Sequence, residues 1–160
     1  MIAEGMTQEG LAVVRAIHDR YAPAKRNPYN EVECGDHYSR AMASYGSFIT
    51  MCGFEYRGPD GYISFAPRLT PEKFKAAFTS AQGWGSYAQE LTGSGLQANL
   101  TVKWGHLPLK TLALAPIGGA QANAVQAQLD GQSIAATLSP QPDRVEVHFA
   151  DPLTIKPGQA

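Results

Sequence analysis

From Gly83-Trp84-Gly85 onward, the apolar residues recur at every second position, and that period constrains the fold more than any other feature of the chain. Leu96, Ala98, Leu100, Val102 and Trp104 alternate with Gln97, Asn99, Thr101 and Lys103. Side chains of an extended strand point to opposite faces in turn, so this pattern predicts a strand with one buried face. Leu109 to Leu114 reads as another strand. Val125, Ala127 and Leu129 lead into Asp130-Gly131, a two-residue hairpin signal, and Ile134, Ala136 and Leu138 return from it. Val145, Val147 and Phe149 supply one more strand before Asp151-Pro152. Short strands punctuated by turn residues at this spacing favour an antiparallel sandwich.

The first third obeys a different period. Leu11, Val14, Ile17 and Tyr21 share one face of a helix expected over 7–21, which Pro23 and Lys25-Arg26 end. A polar stretch follows, Arg26 to Tyr45, reading RNPYNEVECGDHYSRAMASY. Asn27-Pro28 and Asn30 form turns, and Asp36 is placed to cap the start of a second helix that stops near Gly53. Tyr38, Met42, Tyr45 and Ile49 form its apolar stripe. The two helices make a hairpin whose apolar faces are too long to satisfy each other, so the isolated chain is expected to associate. Gly58-Pro59-Asp60-Gly61 marks a turn and 62–65 a short strand. Thr70-Pro71-Glu72 looks like a capped helix start, which predicts a brief helix over 73–78. The fold class is therefore α+β, helices first and strands second: a helical hairpin over 1–57, then a small antiparallel β-sandwich-like region over 58–160 with one short helix. Pro157-Gly158 opens a turn with no return strand after it, so the chain is expected to be a truncated part of a longer polypeptide.

Composition excludes several classes of partner. The 160 residues carry a net charge of −1, which gives no long-range grip on nucleic acid or anionic membranes. No window approaches the roughly 18 apolar residues of a membrane-spanning helix, so no integral membrane segment is expected. The N-terminus lacks an apolar signal core, and the expected location is the cytoplasm. Two cysteines, Cys34 and Cys52, at the ends of the second helix lie too far apart for a disulfide and are expected to be reduced thiols.

Polar chemistry concentrates in the Arg26–Tyr45 stretch, in a chain with only 17% charged residues. Glu31, Glu33 and Arg40 would meet at the head of the second helix, a place to hold a polar ligand. A structural ion pair between Glu31 and Arg40 is the alternative. Glu33 and Asp36 would also lie close, yet capping and bracing of the loop account for both. Cys34, Asp36 and His37 lack a second ligand cluster, so no metal site is expected. Nor does Cys34 with His37 form a nucleophilic pair, since nothing marks an oxyanion hole. Trp84 and Trp104 have faces that complement the C–H faces of a pyranose. Trp104 ends the alternating strand and is expected in the core, whereas Trp84, between two glycines, is expected at the surface or at a seam. His106 and His148 are expected to face solvent and carry no role.

The run RNPYNEVECGDHYSRAM resembles the C-terminal part of glycoside hydrolase family 116, which includes bacterial β-glucosidases and the non-lysosomal glucosylceramidase. The likeness continues through GFEYRGP (53–59), FAPRL (65–69), FTSAQGWG (78–85) and LTVKWG (100–105). The resemblance implies a retaining β-glycosidase built on an (α/α)6 toroid of helical hairpins, of which 1–57 would be the terminal hairpin. The family's nucleophile and acid/base lie upstream of the matched run, so no residue of this chain is expected to be catalytic. By position in the motif, Glu31 and Arg40 correspond to the residues that hold the outer hydroxyls of glucose in the −1 subsite. The implied partners are a β-glucoside or glucosylceramide-like substrate and the remainder of the catalytic domain, with no cofactor. A free-standing carbohydrate-binding or interaction module is the alternative.

Overall fold

The computed structural model describes residues 1–22, 24, 41–119 and 122–160. They divide into two compact units, Met1–Met51 and Cys52–Ala160. Of the described residues 46% are strand and 21% helical. This overturns the toroid reading. Two helices are present among the described residues, α1 (Thr7–His18) and α2 (Ala41–Cys52), and the remaining regular structure is sheet apart from short 3₁₀ turns. Among the described residues strand outweighs helix about two to one, and a pair of twelve-residue helices does not make the end of a helical toroid.

The larger unit contains a five-stranded and a three-stranded sheet whose inner faces share one core. Its strands are β1 (Glu55–Arg57), β2 (Tyr62–Phe65), β3 (Lys73–Thr79), β4 (Gly83–Thr92), β5 (Gly95–Gly105), β6 (Leu107–Leu114), β7 (Ala127–Leu129), β8 (Gln132–Ile134), β9 (Ala136–Pro140) and β10 (Val145–Ile155). The first sheet runs β1-β2-β6-β10-β9 and the second β3-β4-β5, while β7 and β8 form a separate hairpin. All pairs are antiparallel except β2–β6. A parallel pair needs a long crossover, and here the whole β3-β4-β5 sheet provides it. All four residues of β2 are buried, because a neighbouring strand lies on each side and the core covers its inner face.

The core joins Ile63 and Phe65 of β2 to Phe78, Tyr87, Leu100 and Val102 of the second sheet, and to Leu107, Leu109 and Ile155. At its centre the Phe65 and Tyr87 rings stack at 3.8 Å and 2°. Tyr87 is fully buried and still keeps its hydroxyl satisfied: it donates to Gln89 Oε1 at 2.5 Å, and Gln89 Nε2 donates to the Pro71 carbonyl at 2.6 Å. An unpaired phenol in that position would lose one or more kcal/mol, roughly the cost of an unmet buried hydrogen bond.

Three local expectations are corrected. The brief helix over 73–78 is a strand, β3, paired with β4 from Lys73↔Glu90 to Thr79↔Trp84. Phe74, Ala76 and Phe78 fit a period of two as well as a helical one over so short a run, and pairing along β4 decides between them. Thr70 is not a helix cap but a turn residue at φ 42°, and the Lys73 amide donates to its carbonyl. The final strand does not end before Asp151-Pro152. It continues to Ile155, with its pairing to β6 interrupted between His148 and Leu153, where Pro152 has no N–H to give.

The third correction concerns Trp104. The register pairs Gly85 with Val102 but Trp84 with Trp104, so Lys103 is an extra residue without a partner. Such a bulge shifts the alternation by one position. Val102 stays buried, Lys103 and Trp104 both face outward, and Trp104 is 65% exposed rather than in the core. By contrast Asp130 and Gly131 sit at φ 51° and 77° as the β7–β8 hairpin demands. The last residues turn back: the Gly158 amide donates to Val102, and Ala160 O accepts from the Asp130 amide.

Candidate functional site

Glu31 and Arg40, the expected sugar-binding residues, lie outside the described residues, as do Glu33, Cys34, Asp36 and His37. Helix α2 opens at Ala41, the next residue in sequence after Arg40. Cys52, at its other end, is a free buried thiol whose pKa is raised by burial.

In the helical unit, α1 and α2 flank an open groove of about 360 Å³. Val13, Val14, Ile17 and Ala43 give it an apolar lining, and its hydroxyls are already engaged: Ser47 donates to the Ala43 carbonyl and Thr50 to that of Gly46. Ligand pockets pair apolar walls with polar groups that converge on the ligand. This groove has the walls alone.

The strand-rich unit builds a polar cluster that no local pattern announces. Arg144 Nη1 donates to the Tyr62 hydroxyl at 2.8 Å and to Glu55 Oε2 at 3.3 Å. Arg57 bridges to the other oxygen of Glu55 at 3.3 Å and holds its guanidinium 3.8 Å over the Tyr62 ring. Asp143 accepts from Arg144 at 2.9 Å, and that cation pulls its carboxyl pKa down. The cluster borders a cleft of about 80 Å³ that also touches Ser64, which is buried. That volume is far below the about 300 Å³ at which ligand pockets begin. The chemistry is that of a clamp between β1, β2 and the start of β10. Its partners lie 82 and 89 residues apart in sequence, so spacing could not have revealed it.

His148 is half-exposed and tied down, with Nδ1 3.1 Å from Thr111 Oγ1 and Nε2 3.2 Å from Glu146. Among the described residues no group of three His, Cys, Asp or Glu side chains could hold a metal ion, and no helix is long and apolar enough to cross a membrane. No protein-family model matches the chain, and no curated protein matches it significantly.

Proposed function

We propose that this chain is the C-terminal portion of a retaining β-glucosidase- or glucosylceramidase-like glycoside hydrolase that works in the cytoplasm. It supplies part of the glucose site and none of the catalytic carboxyl groups. The observation that carries this reading is the run RNPYNEVECGDHYSRAM, in which Glu31 and Arg40 stand at the motif's sugar-binding positions. Glu31 accepts hydrogen bonds from two sugar hydroxyls while Arg40 donates in a fixed fork, and charge-assisted bonds of this kind are the strong ones. Held there, the ring is positioned for a nucleophile and an acid/base about 5–5.5 Å apart in the remainder of the catalytic domain. Binding energy at the outer hydroxyls then favours the transition state at the anomeric carbon.

The test is hydrolysis of an aryl β-glucoside by the chain alone and after mixing with a complementary segment that carries both catalytic carboxyl groups. The chain alone should show no turnover. Activity restored by the complementary segment should fall about tenfold or more in kcat/KM with Glu31→Gln or Arg40→Met, the equivalent of about 1.4 kcal/mol in transition-state binding. Turnover by the chain alone that vanishes in Glu33→Gln would contradict the reading, as would restored activity indifferent to both substitutions.

A further inference from the structure

The outer face of the β3-β4-β5 sheet carries the only two tryptophans in the chain, and both are directed to solvent. Trp84 on β4 and Trp104 on β5 are directly opposite one another, 49% and 65% exposed. Neither indole pairs with another ring among the described residues. Large aromatic side chains normally bury most of their area. Two of them side by side at the surface need a physical reason.

The backbone is arranged to keep them there. Gly83 and Gly85 flank Trp84 on the inward side of β4. A Cβ on Gly83 would come within 2.6 Å of the Trp104 carbonyl, and one on Gly85 would strike the Thr101 carbonyl. Only glycine lets β4 approach β5 this closely beneath the two indoles. The bulge at Lys103 completes the arrangement by turning Trp104 from the inner to the outer face.

Beyond the indoles the same face carries hydroxyl and amide groups together with two exposed lysines, Lys75 of β3 opposite Ala88 and Lys103 at the bulge. Ser86 is paired with Thr101 and Ala88 with Asn99. The Thr101 hydroxyl donates to Asn99 Oδ1 at 2.8 Å, so the amide oxygen is engaged and the Nδ2 group is the donor that Asn99 can offer. Farther along, Lys73 is neutralised by Glu90 at 3.1 Å. Two exposed indoles followed by hydroxyl, amide and ammonium groups match a polyol with an apolar face.

We propose that this face, with Trp84 and Trp104 as stacking platforms and Ser86, Thr101 and Asn99 beyond them, binds a β-linked gluco-oligosaccharide. In a β-linked glucose chain the hydroxyls are equatorial, leaving flat C–H faces to lie on the indoles and hydroxyls at the rim to meet the amide and hydroxyl groups. A protein partner fits less well. The two rings expose about 300 Å² of apolar surface, taking a whole tryptophan as about 250 Å². A stable interface buries about 800 Å² on each side. The net charge of −1 likewise offers no general attraction for nucleic acid. This surface is separate from the Glu31–Arg40 motif and stands or falls without it.

The two tryptophans make the test specific, because the chain's indole fluorescence reports on this surface alone. Titration of the full chain with cellohexaose should give a saturable blue shift and intensity change that persist in Glu31→Gln. Trp84→Ala and Trp104→Ala should each weaken binding about tenfold, the worth of one ring contact. The double variant should lose binding by calorimetry while its far-UV circular dichroism stays unchanged. Four outcomes would overturn the proposal: no response at millimolar cellohexaose; an equal response to the α-linked maltohexaose; a stronger response to oligothymidylate; or emission that changes with protein concentration without sugar, alongside a dimer in sedimentation.

Discussion

The helical unit and the strand-rich unit treat their apolar residues in opposite ways. In Cys52–Ala160 the inward-facing large side chains, Ile63, Phe65, Tyr87, Leu100, Val102, Leu107 and Leu109, are almost wholly removed from water, while Trp84, Leu91 and Trp104 are exposed on the strands' other positions. In Met1–Met51, Val13, Ile17, Met42, Tyr45 and Phe48 stay exposed, Met42 at 87%, and the buried described residues are Ile2, Gly10 and Met51. Both units have regular backbone hydrogen bonding. Among the described residues only the strand-rich unit has a dense core. Helices of twelve residues are marginal in water on backbone propensity alone, since most helix stability in proteins comes from packing an apolar face. Among the described residues the helices lie in the first third and the densely packed core lies in the sandwich, so packing free energy is expected to concentrate there.

The sharpest way to break this comparison is to cut into the sandwich. Phe65→Ala removes a ring that is 1% exposed and stacked on Tyr87, and should cost about 3–5 kcal/mol in denaturant unfolding of the strand-rich unit. A loss below 1 kcal/mol, well under that range, would mean the core is not where its stability resides. Gly85→Ala should come next, at about 1–3 kcal/mol, because the added methyl meets the Thr101 carbonyl and lies 3.0 Å from the Phe78 ring. The same substitution should disturb the Trp84 emission, since it pushes β4 from β5 under the indoles. The smallest effect is expected in the helical unit. Ile17→Ser and Phe48→Ser, at residues 50% and 43% exposed, should change stability by no more than about 0.5 kcal/mol. They should also reduce self-association in sedimentation, since exposed apolar faces drive it.

The sequence made the strands legible where local rules and packing agree. Asp130-Gly131 demanded positive φ at two successive residues, and a hairpin follows. Leu100 and Val102 alternate inward as their period requires. The failures share one cause, which is that strand pairing between distant segments overrode local pattern. Lys73 to Phe78 carried a helix signal in Thr70-Pro71-Glu72, but pairing along β4 extended it. Trp104 held the correct phase for the core until a single unpaired residue, Lys103, reversed it. No spacing rule predicts where a bulge falls. The Glu31–Arg40 run could be proposed from the sequence because its residues are contiguous, and it lies outside the described residues. The Arg144, Glu55 and Tyr62 clamp could not be proposed from the sequence, because the fold alone brings β10 to β1 and β2.

The central claim is that the free energy of packing is concentrated in the strand-rich unit, and amide hydrogen exchange of the native full chain tests it directly. Amides of β2, β4 and β5 should exchange only through global unfolding, while those of α1 and α2 should exchange orders of magnitude faster through local opening. Helix amides protected as strongly as those of β4 would contradict the account.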